Sequence, residues 1–249
     1  MKTIINGKSV IGDREYQQDE YYFNADKGQA VVCDGMGGMK NGEAASKCAL
    51  RHTIRFFERN EYTENSISKN LRQLAENINK EICNLTDENG KKINSGTTIV
   101  LTVIFENRLY MMAIGDSRIY LIRNKEIYIM TREHNYKLQL DEKLRRNLID
   151  EREYNANIEC GEILISYLGV PKLQLVDVSL EPFEMKNEDI VILCSDGLYK
   201  SLDNEQILAV VLENYYDLEM CATELLDTAK RLSRKQLDNT TAILIKYEE

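Results

Sequence analysis

The sequence is short of positive charge and has no long apolar segment. Its 249 residues include 32 lysines and arginines against 41 aspartates and glutamates, a net charge of -9. A general nucleic-acid or anionic-membrane binder needs a basic footprint, so this balance argues against both classes. No apolar run approaches the ~18 residues of a membrane span, and the first ten residues lack the apolar core of a signal peptide. These absences favour a cytoplasmic protein that binds neither nucleic acid nor membrane.

Residues for imidazole or thiol chemistry are also scarce. There are two histidines, His52 and His134, and the six cysteines are scattered without a Cys-x-x-Cys pair. Zinc ligation is therefore not expected. No cysteine is followed six residues later by arginine, which excludes the Cys-x5-Arg loop of cysteine-dependent phosphatases. With 43% hydrophobic residues and only two prolines, the composition is that of an ordinary folded globular protein.

Residues 1–249 are expected to form one continuous domain, since no linker, repeat or low-complexity segment interrupts the chain. Residues 10–33 suggest two or three strands. A helix is expected after Gly42. A second helix is predicted by an apolar stripe at three- and four-residue steps from Ile67 to Leu85, where Asn65 or Ser66 could cap its start.

The second half changes to a strand-like period. Residues 97–130 are rich in β-branched and aromatic residues with two turn-like breaks, which predicts an antiparallel meander of about four strands. The charged segment 136–153, with three leucines at helical spacing, predicts an exposed amphipathic helix. Further strands are predicted near 174–180, 189–195 and 241–247, and two helices across 204–233. Helices at both ends of a run of strands indicate an α+β layered domain.

The glycine-rich segment AVVCDGMGGMK, residues 30–40, follows a strand-like run as many phosphate-binding loops do. Its spacing does not fit a nucleotide site. The pattern G-x-G-x-x-G would need glycine at Lys40, and G-x-x-x-x-G-K-[ST] from Gly37 meets Glu43 and Ala44. Gly37 and Gly38 are interpreted as a turn toward the next helix. Asp34 therefore needs another explanation.

Five aspartates stand at the ends of expected core strands. An isolated aspartate there is usually a turn residue. If the strand ends converge, however, the carboxylates repel one another and need a counter-charge. Mg²⁺ and Mn²⁺ supply it, because they prefer carboxylate, carbonyl and water oxygens. The five are Asp19, Asp34, Asp116, Asp196 and Asp238.

Seven ordered segments carry these acids: GDREYQQDEYY, VVCDGMGGMKNGEAAS, SGTT, MMAIGDSRIYLIR, SYLG, ILCSDGL and DNTT. Over essentially the whole chain they resemble the metal-dependent protein phosphatases of the protein phosphatase 2C family. The resemblance implies an α-β-β-α sandwich, two antiparallel sheets packed face to face with helices outside. It also implies hydrolysis of phosphoserine and phosphothreonine in proteins by a metal-activated water. A partner serine/threonine kinase is an expectation from similar bacterial proteins.

The same resemblance implies a binuclear Mg²⁺ or Mn²⁺ site between the sheets. Asp34 matches the carboxylate that bridges the two metals. The carbonyl of Gly35 matches a ligand of the second metal, and Asp196 and Asp238 match ligands of the first.

Three further residues match supporting positions of that site. Asp19 resembles the acid that holds metal-bound water in the outer shell. Arg14 matches the arginine that grips the substrate phosphate, a task suited to the bidentate donors of a guanidinium. Asp116, together with Asp196, matches the acids that can hold a third metal in bacterial members.

The chain also departs from the family pattern. Gln18 stands where eukaryotic members carry glutamate, and Met36 stands where they carry a histidine proposed as general acid. The form D-G-M-G-G resembles bacterial members, which suggests that the leaving group takes its proton from solvent or metal-bound water. His134 is interpreted as structural, and Ser95 to Thr98 are assigned no chemistry. Residues 136–169 replace the usual flap, so substrate choice cannot be carried over.

Because of these departures, a second hypothesis stays open. The chain could be a catalytically weak or inactive phosphoprotein-binding relative, a pseudophosphatase. The neutral Gln18, Met36 and the unusual flap favour this alternative. Retention of Asp34 and the other matched ligands argues against it.

Overall fold

Two antiparallel sheets with helices on their outer faces make up the fold. The computed structural model describes residues 2–37, 41–59, 63–234 and 236–248. The strands are β1 Lys2–Val10, β2 Asp19–Asn24, β3 Gln29–Met36, β4 Gly96–Thr97, β5 Ile99–Phe105, β6 Arg108–Ile114, β7 Arg118–Arg123, β8 Glu126–Ile129, β9 Asp177–Val178, β10 Phe183–Glu184, β11 Ile190–Cys194 and β12 Thr240–Glu248. The α-helices are α1 Asn41–Arg59, α2 Ile67–Ile82, α3 Tyr136–Arg145, α4 Glu151–Asn157, α5 Asp196–Tyr199, α6 Asn204–Asn214 and α7 Leu218–Leu232.

The strand order brings distant parts of the chain together. One sheet runs β1-β12-β11-β7-β8, and the other runs β10-β6-β5-β3-β2, with β4 paired to β3 and β9 paired to β6. The first and last long strands, β1 and β12, are neighbours in full antiparallel register from Lys2↔Glu248 to Val10↔Thr240. Residues from both ends of the sequence therefore contribute to one sheet.

Three apolar layers hold the sandwich together. Successive side chains of a strand point to opposite faces, so Val31 packs under α1 and α2 while Val32 packs between the sheets. Likewise Leu193 of β11 faces the opposite sheet, and Ile192 faces α6 and α7. Each fully buried aliphatic side chain contributes about 1.5–3 kcal/mol of transfer free energy. The predicted α-β-β-α sandwich is confirmed.

The predicted helix with an apolar stripe is also confirmed. Ile67, Leu71 and Ile78 of α2 are fully buried against the sheet, as a stripe at three- and four-residue steps requires. Ser66 is the residue that precedes the helix, but its side chain makes no capping hydrogen bond. Its hydroxyl instead donates to the carbonyl of Thr63 at 3.2 Å.

The predicted single meander over residues 97–130 is wrong in one respect. The four strands β5 to β8 are present, but β5 and β6 belong to one sheet while β7 and β8 belong to the other. The chain crosses between the sheets at Gly115, whose φ of +105° is available mainly to glycine. A Cβ there would lie 2.6 Å from Cβ of Thr98. The crossing places Asp116 at one end of the sandwich.

The predicted amphipathic helix over residues 136–153 is broken into two short helices. Asn147, with a φ of +57°, follows the end of α3, and Leu148 is 68% exposed. Asn135 and Asp150 start the two helices by accepting hydrogen bonds from backbone amides. Within the described ranges, no helix combines the length and apolarity required of a membrane span.

Candidate metal and phosphate site

Neighbouring strands bring the predicted acids to one end of the sandwich. Asp19 on β2 lies directly opposite Asp34 on β3 in the antiparallel register. Asp196 follows β11 and begins α5, and Asp238 stands two residues before β12. Because β11 and β12 are paired and antiparallel, the end of one lies beside the start of the other. Asp116 joins them from the crossing between the sheets.

These residues surround a cavity of about 440 Å³. Six of the seven predicted site residues line it, and Asp19 lies behind the lining. Two residues of the unusual flap, Glu162 and Leu164, also reach it. The full lining is Arg14, Gln18, Asp34, Gly35, Met36, Gly37, Thr98, Asp116, Glu162, Leu164, Asp196, Asp238 and Asn239.

Asp34 is held at its backbone by two threonines. The hydroxyl of Thr98 accepts a hydrogen bond from the Asp34 amide at 3.1 Å, and the hydroxyl of Thr97 donates to the Asp34 carbonyl at 2.9 Å. Burial raises the pKa of the Asp34 carboxyl well above its ordinary value, and repulsion by the other four predicted acids adds to the effect. An anionic Asp34 therefore needs a nearby cation.

Asp19 is a buried carboxylate that is only half satisfied. Its Oδ2 accepts hydrogen bonds from Ser195 Oγ at 2.7 Å and Thr241 Oγ1 at 2.6 Å. Its Oδ1 is buried and has no hydrogen-bond partner among the described residues. Burial raises the pKa of Asp19 to about 7, although the hydrogen bonds from Thr241 and Ser195 oppose the shift. The unmatched oxygen is a ready acceptor for a ligand in the site.

Arg14 is oriented by its neighbours at the mouth of the cavity. Its guanidinium pairs with the carboxylate of Asp238, and its side chain is 54% exposed. The loop that carries Arg14 is tied down by Asn239, whose Nδ2 donates to the carbonyls of Ile11 at 2.8 Å and Tyr16 at 3.1 Å. The position of Arg14 therefore depends on the segment that also carries Asp238.

Gly35 sits where the backbone of β3 passes between two other segments. Its amide donates to the carbonyl of Gln18 at 3.1 Å. A Cβ at this position would overlap the carbonyl oxygen of Gly42 and lie 2.7 Å from the Gln18 oxygen. Only glycine lets the three segments meet this closely. Gly37 lines the cavity with a φ of +133°, and Gly38 lies outside the described residues.

The corner formed by Asp116 and Asp196 contains a lysine. Lys200 Nζ lies 2.5 Å from Asp196 Oδ2. Burial, followed by repulsion from Asp196, raises the pKa of Asp116 to about 6, and the charge of Lys200 opposes this rise. Sequence reasoning did not single out Lys200.

The donor set as a whole fits a divalent cation. Five aspartates and Glu162 stand at or behind the cavity, with Arg14 and Lys200 opposing them. In the part of the chain that the structure describes, no three histidine, cysteine, aspartate or glutamate side chains stand close enough together to hold a metal ion by themselves. Mg²⁺ usually keeps several waters and takes only one or two carboxylates, so an open arrangement suits it.

The departures from the family pattern have clear places in the structure. Met36 lines the cavity and has no exchangeable proton. The side-chain Nε2 of Gln18 donates to the carbonyl of Gly37 at 3.3 Å. His134 is fully buried, with Nε2 3.1 Å from Asp177 Oδ2, and it is not part of the cavity lining.

Several supporting residues were missed from the sequence. Thr98 was assigned no chemistry, yet it lines the cavity and shares a 2.7 Å hydrogen bond with Ser117. Ser195 and Thr241 were passed over, although both hold Asp19. For Ser195 the available signal was a hydroxyl residue next to an acid, Asp196, at the end of an otherwise apolar strand; Thr98 and Thr241 have no acidic neighbour in the sequence.

The family assignment follows from comparison with known proteins. Residues 6–238 match the family model described as protein phosphatase 2C. The chain belongs to the protein phosphatase 2C family. The resemblance stated from the motifs is confirmed, and members of this family are metal-dependent protein phosphatases. The chain is 28% identical over 220 residues to the serine/threonine phosphatase stp of Listeria monocytogenes, covering 88% of this chain and 84% of that protein.

Solved structures agree with the fold. The S. agalactiae serine/threonine phosphatase superimposes with a TM-score of 0.83 at 25% identity, over 99% of this chain and 100% of that one. The catalytic domain of the phosphatase PstP in complex with two manganese ions gives a TM-score of 0.79 at 22% identity, over 100% of this chain and 99% of that one. The α+β sandwich of this protein phosphatase 2C family member is thus shared with bacterial phosphatases.

Proposed function

We propose that this protein phosphatase 2C family member hydrolyses phosphoserine and phosphothreonine in proteins at a pair of Mg²⁺ or Mn²⁺ ions. The observation that carries the proposal is the convergence of Asp34, Asp196 and Asp238 on one cavity that also contains an exposed arginine. This combination of hard oxygen donors with a guanidinium suits a metal-assisted reaction of a phosphate ester.

In this proposal Asp34 would be the carboxylate shared by both ions, since the charges of the other four predicted aspartates all act on it. The Gly35 carbonyl would be a ligand of the second ion, and Asp196 and Asp238 would be ligands of the first. Asp19 would accept a hydrogen bond from metal-bound water through its unmatched Oδ1. When bound, such ions make water a strong nucleophile near neutral pH and neutralise charge on the phosphoryl group.

Arg14 is proposed to bind the phosphate. Its guanidinium is exposed at the cavity mouth and already pairs with a carboxylate, so it can exchange that partner for phosphoryl oxygens. Met36 cannot donate a proton, so the leaving seryl or threonyl oxygen is protonated by water in the cavity. No side chain forms a covalent intermediate.

Residues 1–249 are proposed to form one catalytic domain, since β1 and β12 from opposite ends of the chain pair in one sheet. Phosphoproteins are the proposed substrates, and a serine/threonine kinase is the proposed source of their phosphate. The pseudophosphatase alternative finds no support in the named relatives, which are serine/threonine phosphatases.

Metal-dependent phosphate release from p-nitrophenyl phosphate and from phosphoserine peptides tests this function. We expect release with Mn²⁺, none with EDTA, and a loss of about 100-fold or more in kcat for Asp34→Asn. Asp203→Asn is the matched control, because Asp203 is an exposed helix cap and asparagine caps equally well. Full activity of Asp34→Asn with Mn²⁺, or phosphopeptide binding without turnover in the wild type, would refute the proposal.

A further inference from the structure

A lysine pairs with Asp196 beside the corner of the cavity that Asp116 and Asp196 line, although it is not itself part of the cavity lining. Lys200 follows the one-turn helix α5, which Asp196 begins, so the two residues are four apart and share a face. The ammonium lies 2.5 Å from Asp196 Oδ2, and the two side chains are 46% and 15% exposed. Because Asp196 is itself largely buried, this pair is less screened by water than a pair on an open surface.

The other carboxylates of that corner also act on the lysine. The charges of Asp116 and of Glu162, which the unusual flap contributes, both interact with Lys200. Asp196 thus contacts the ammonium, and the charges of Asp116 and Glu162 act on it from two other segments of the cavity lining. The ammonium of Lys200 therefore already supplies a positive charge next to this corner.

The surroundings of α5 keep this corner in place. The hydroxyl of Tyr199 donates to the backbone carbonyl of Asp116 at 3.0 Å. The guanidinium of Arg118 lies 3.6 Å from the centre of the Tyr199 ring and pairs with Glu133. Tyr199 directly precedes Lys200 in the chain, so its hydrogen bond to Asp116 fixes the distance between the backbones of Lys200 and Asp116.

We propose that Lys200 is a built-in cation that takes the place of a third metal ion at the Asp116–Asp196 corner. This inference rests on the proposed two-ion function. A divalent ion that entered the corner would have to displace the ammonium or lie beside it, and like charges at such distances repel strongly at an effective dielectric of about 20. The enzyme therefore binds two ions tightly and a third only weakly.

The number of ions bound to metal-free protein tests this directly. Mn²⁺ is titrated into the wild type and variants, with heat release and the electron paramagnetic resonance signal of free Mn²⁺ as readouts. We expect two tight sites in the wild type. In Lys200→Met, which keeps the aliphatic stem without the charge, we expect a third Mn²⁺ to bind about tenfold more tightly or better.

Two further variants separate charge from other effects. Lys200→Arg keeps the positive charge and is expected to retain the binding pattern of the wild type. Lys47→Met is the matched control, since Lys47 makes a pair of the same i,i+4 spacing at 2.5 Å, but its partner Glu43 is not part of the cavity lining, whereas Asp196 is. Circular dichroism and urea unfolding confirm that each variant is folded.

The outcomes are distinguishable. Three tight Mn²⁺ sites in the wild type, or the same weakest affinity in Lys200→Met as in the wild type, would overturn the role of Lys200 while leaving the two-ion function standing. No Mn²⁺ binding by the wild type, or binding unaffected by Asp34→Asn, would instead overturn the proposed function and this inference with it.

Discussion

Replacement of Asp19 by asparagine should stabilise the metal-free protein while weakening its metal site. The carboxylate is 3% exposed, and one of its oxygens has no partner among the described residues. Removing its charge also relieves repulsion on Asp34. A site that needs concentrated negative charge thus costs stability until a cation arrives, as is common for functional sites.

The sign and size follow from the raised pKa of Asp19. In the native state the carboxyl has a pKa of about 7 and keeps its proton at lower pH, whereas in the unfolded chain its pKa has the ordinary value of 3.8. Between these pH values the native state binds more protons than the unfolded state, so stability falls as pH rises. Above pH 7 the free energy of unfolding is lower by at most about 4 kcal/mol, because each unit of pKa difference corresponds to about 1.36 kcal/mol. Between about pH 5.5 and 8 the expected fall is about 2 kcal/mol.

The Asp19→Asn substitution removes the stability cost of the buried negative charge but introduces a smaller cost, that of an unpaired amide nitrogen. The hydroxyls of Ser195 and Thr241 can still donate to the amide oxygen, whereas the new Nδ2 is buried without an acceptor, at a cost of about 1–3 kcal/mol. The expected net gain at pH 8 is therefore about 1–3 kcal/mol.

Urea unfolding in EDTA, at about pH 5.5 and about pH 8, measures these quantities. Asp203→Asn, at an exposed helix cap, serves as the control and should keep the pH dependence of the wild type. If the stability of the metal-free wild type is flat or rises between the two pH values, the reasoning is wrong. A loss of stability in Asp19→Asn at pH 8 would refute it equally.

Three other substitutions test single contacts. Arg14→Lys keeps the charge but loses the fork-shaped donor, so KM for a phosphopeptide should rise about tenfold with little change in stability; an unchanged KM would contradict the phosphate role. Gly35→Ala should destabilise the protein by about 3 kcal/mol or more in urea unfolding, because the added methyl overlaps the Gly42 carbonyl; a native-like midpoint would show that the segments can separate. Thr98→Val leaves the Asp34 amide and Ser117 without their partner, so thermal unfolding should report a loss of about 1–3 kcal/mol, and no loss would mean that water replaces the hydroxyl.

Local pattern was sufficient for much of the fold and for choosing candidate site residues, six of which the structure brings to one cavity. The apolar stripe from Ile67 predicted α2, because helix residues that pack against the same sheet recur every three or four positions in the sequence. Short acid-containing motifs at strand ends predicted Asp34, Asp196 and Asp238, since a strand end is local information. Their combination in one order pointed to the family, which comparison with known proteins confirmed.

The spacing of residue types in the sequence did not predict which distant segments contact one another. The strands of 97–130 alternate and turn in the same way whether β6 pairs with β7 or crosses to the other sheet, and packing alone decided the crossing at Gly115. The break after α3 depended on Asn147, whose positive φ no periodicity reports.

By itself, then, the sequence determined the helices and strands with strong periodicity, the excess of negative charge and the candidate acids of the site. Only the tertiary structure decided that Asp19 is buried behind the cavity, that Thr98 holds the backbone of Asp34, and that Lys200 and Glu162 share a corner with Asp196. The physical reason is that periodicity records which face of an element is buried. The partner of each charge is set by how the two sheets and the flap pack together.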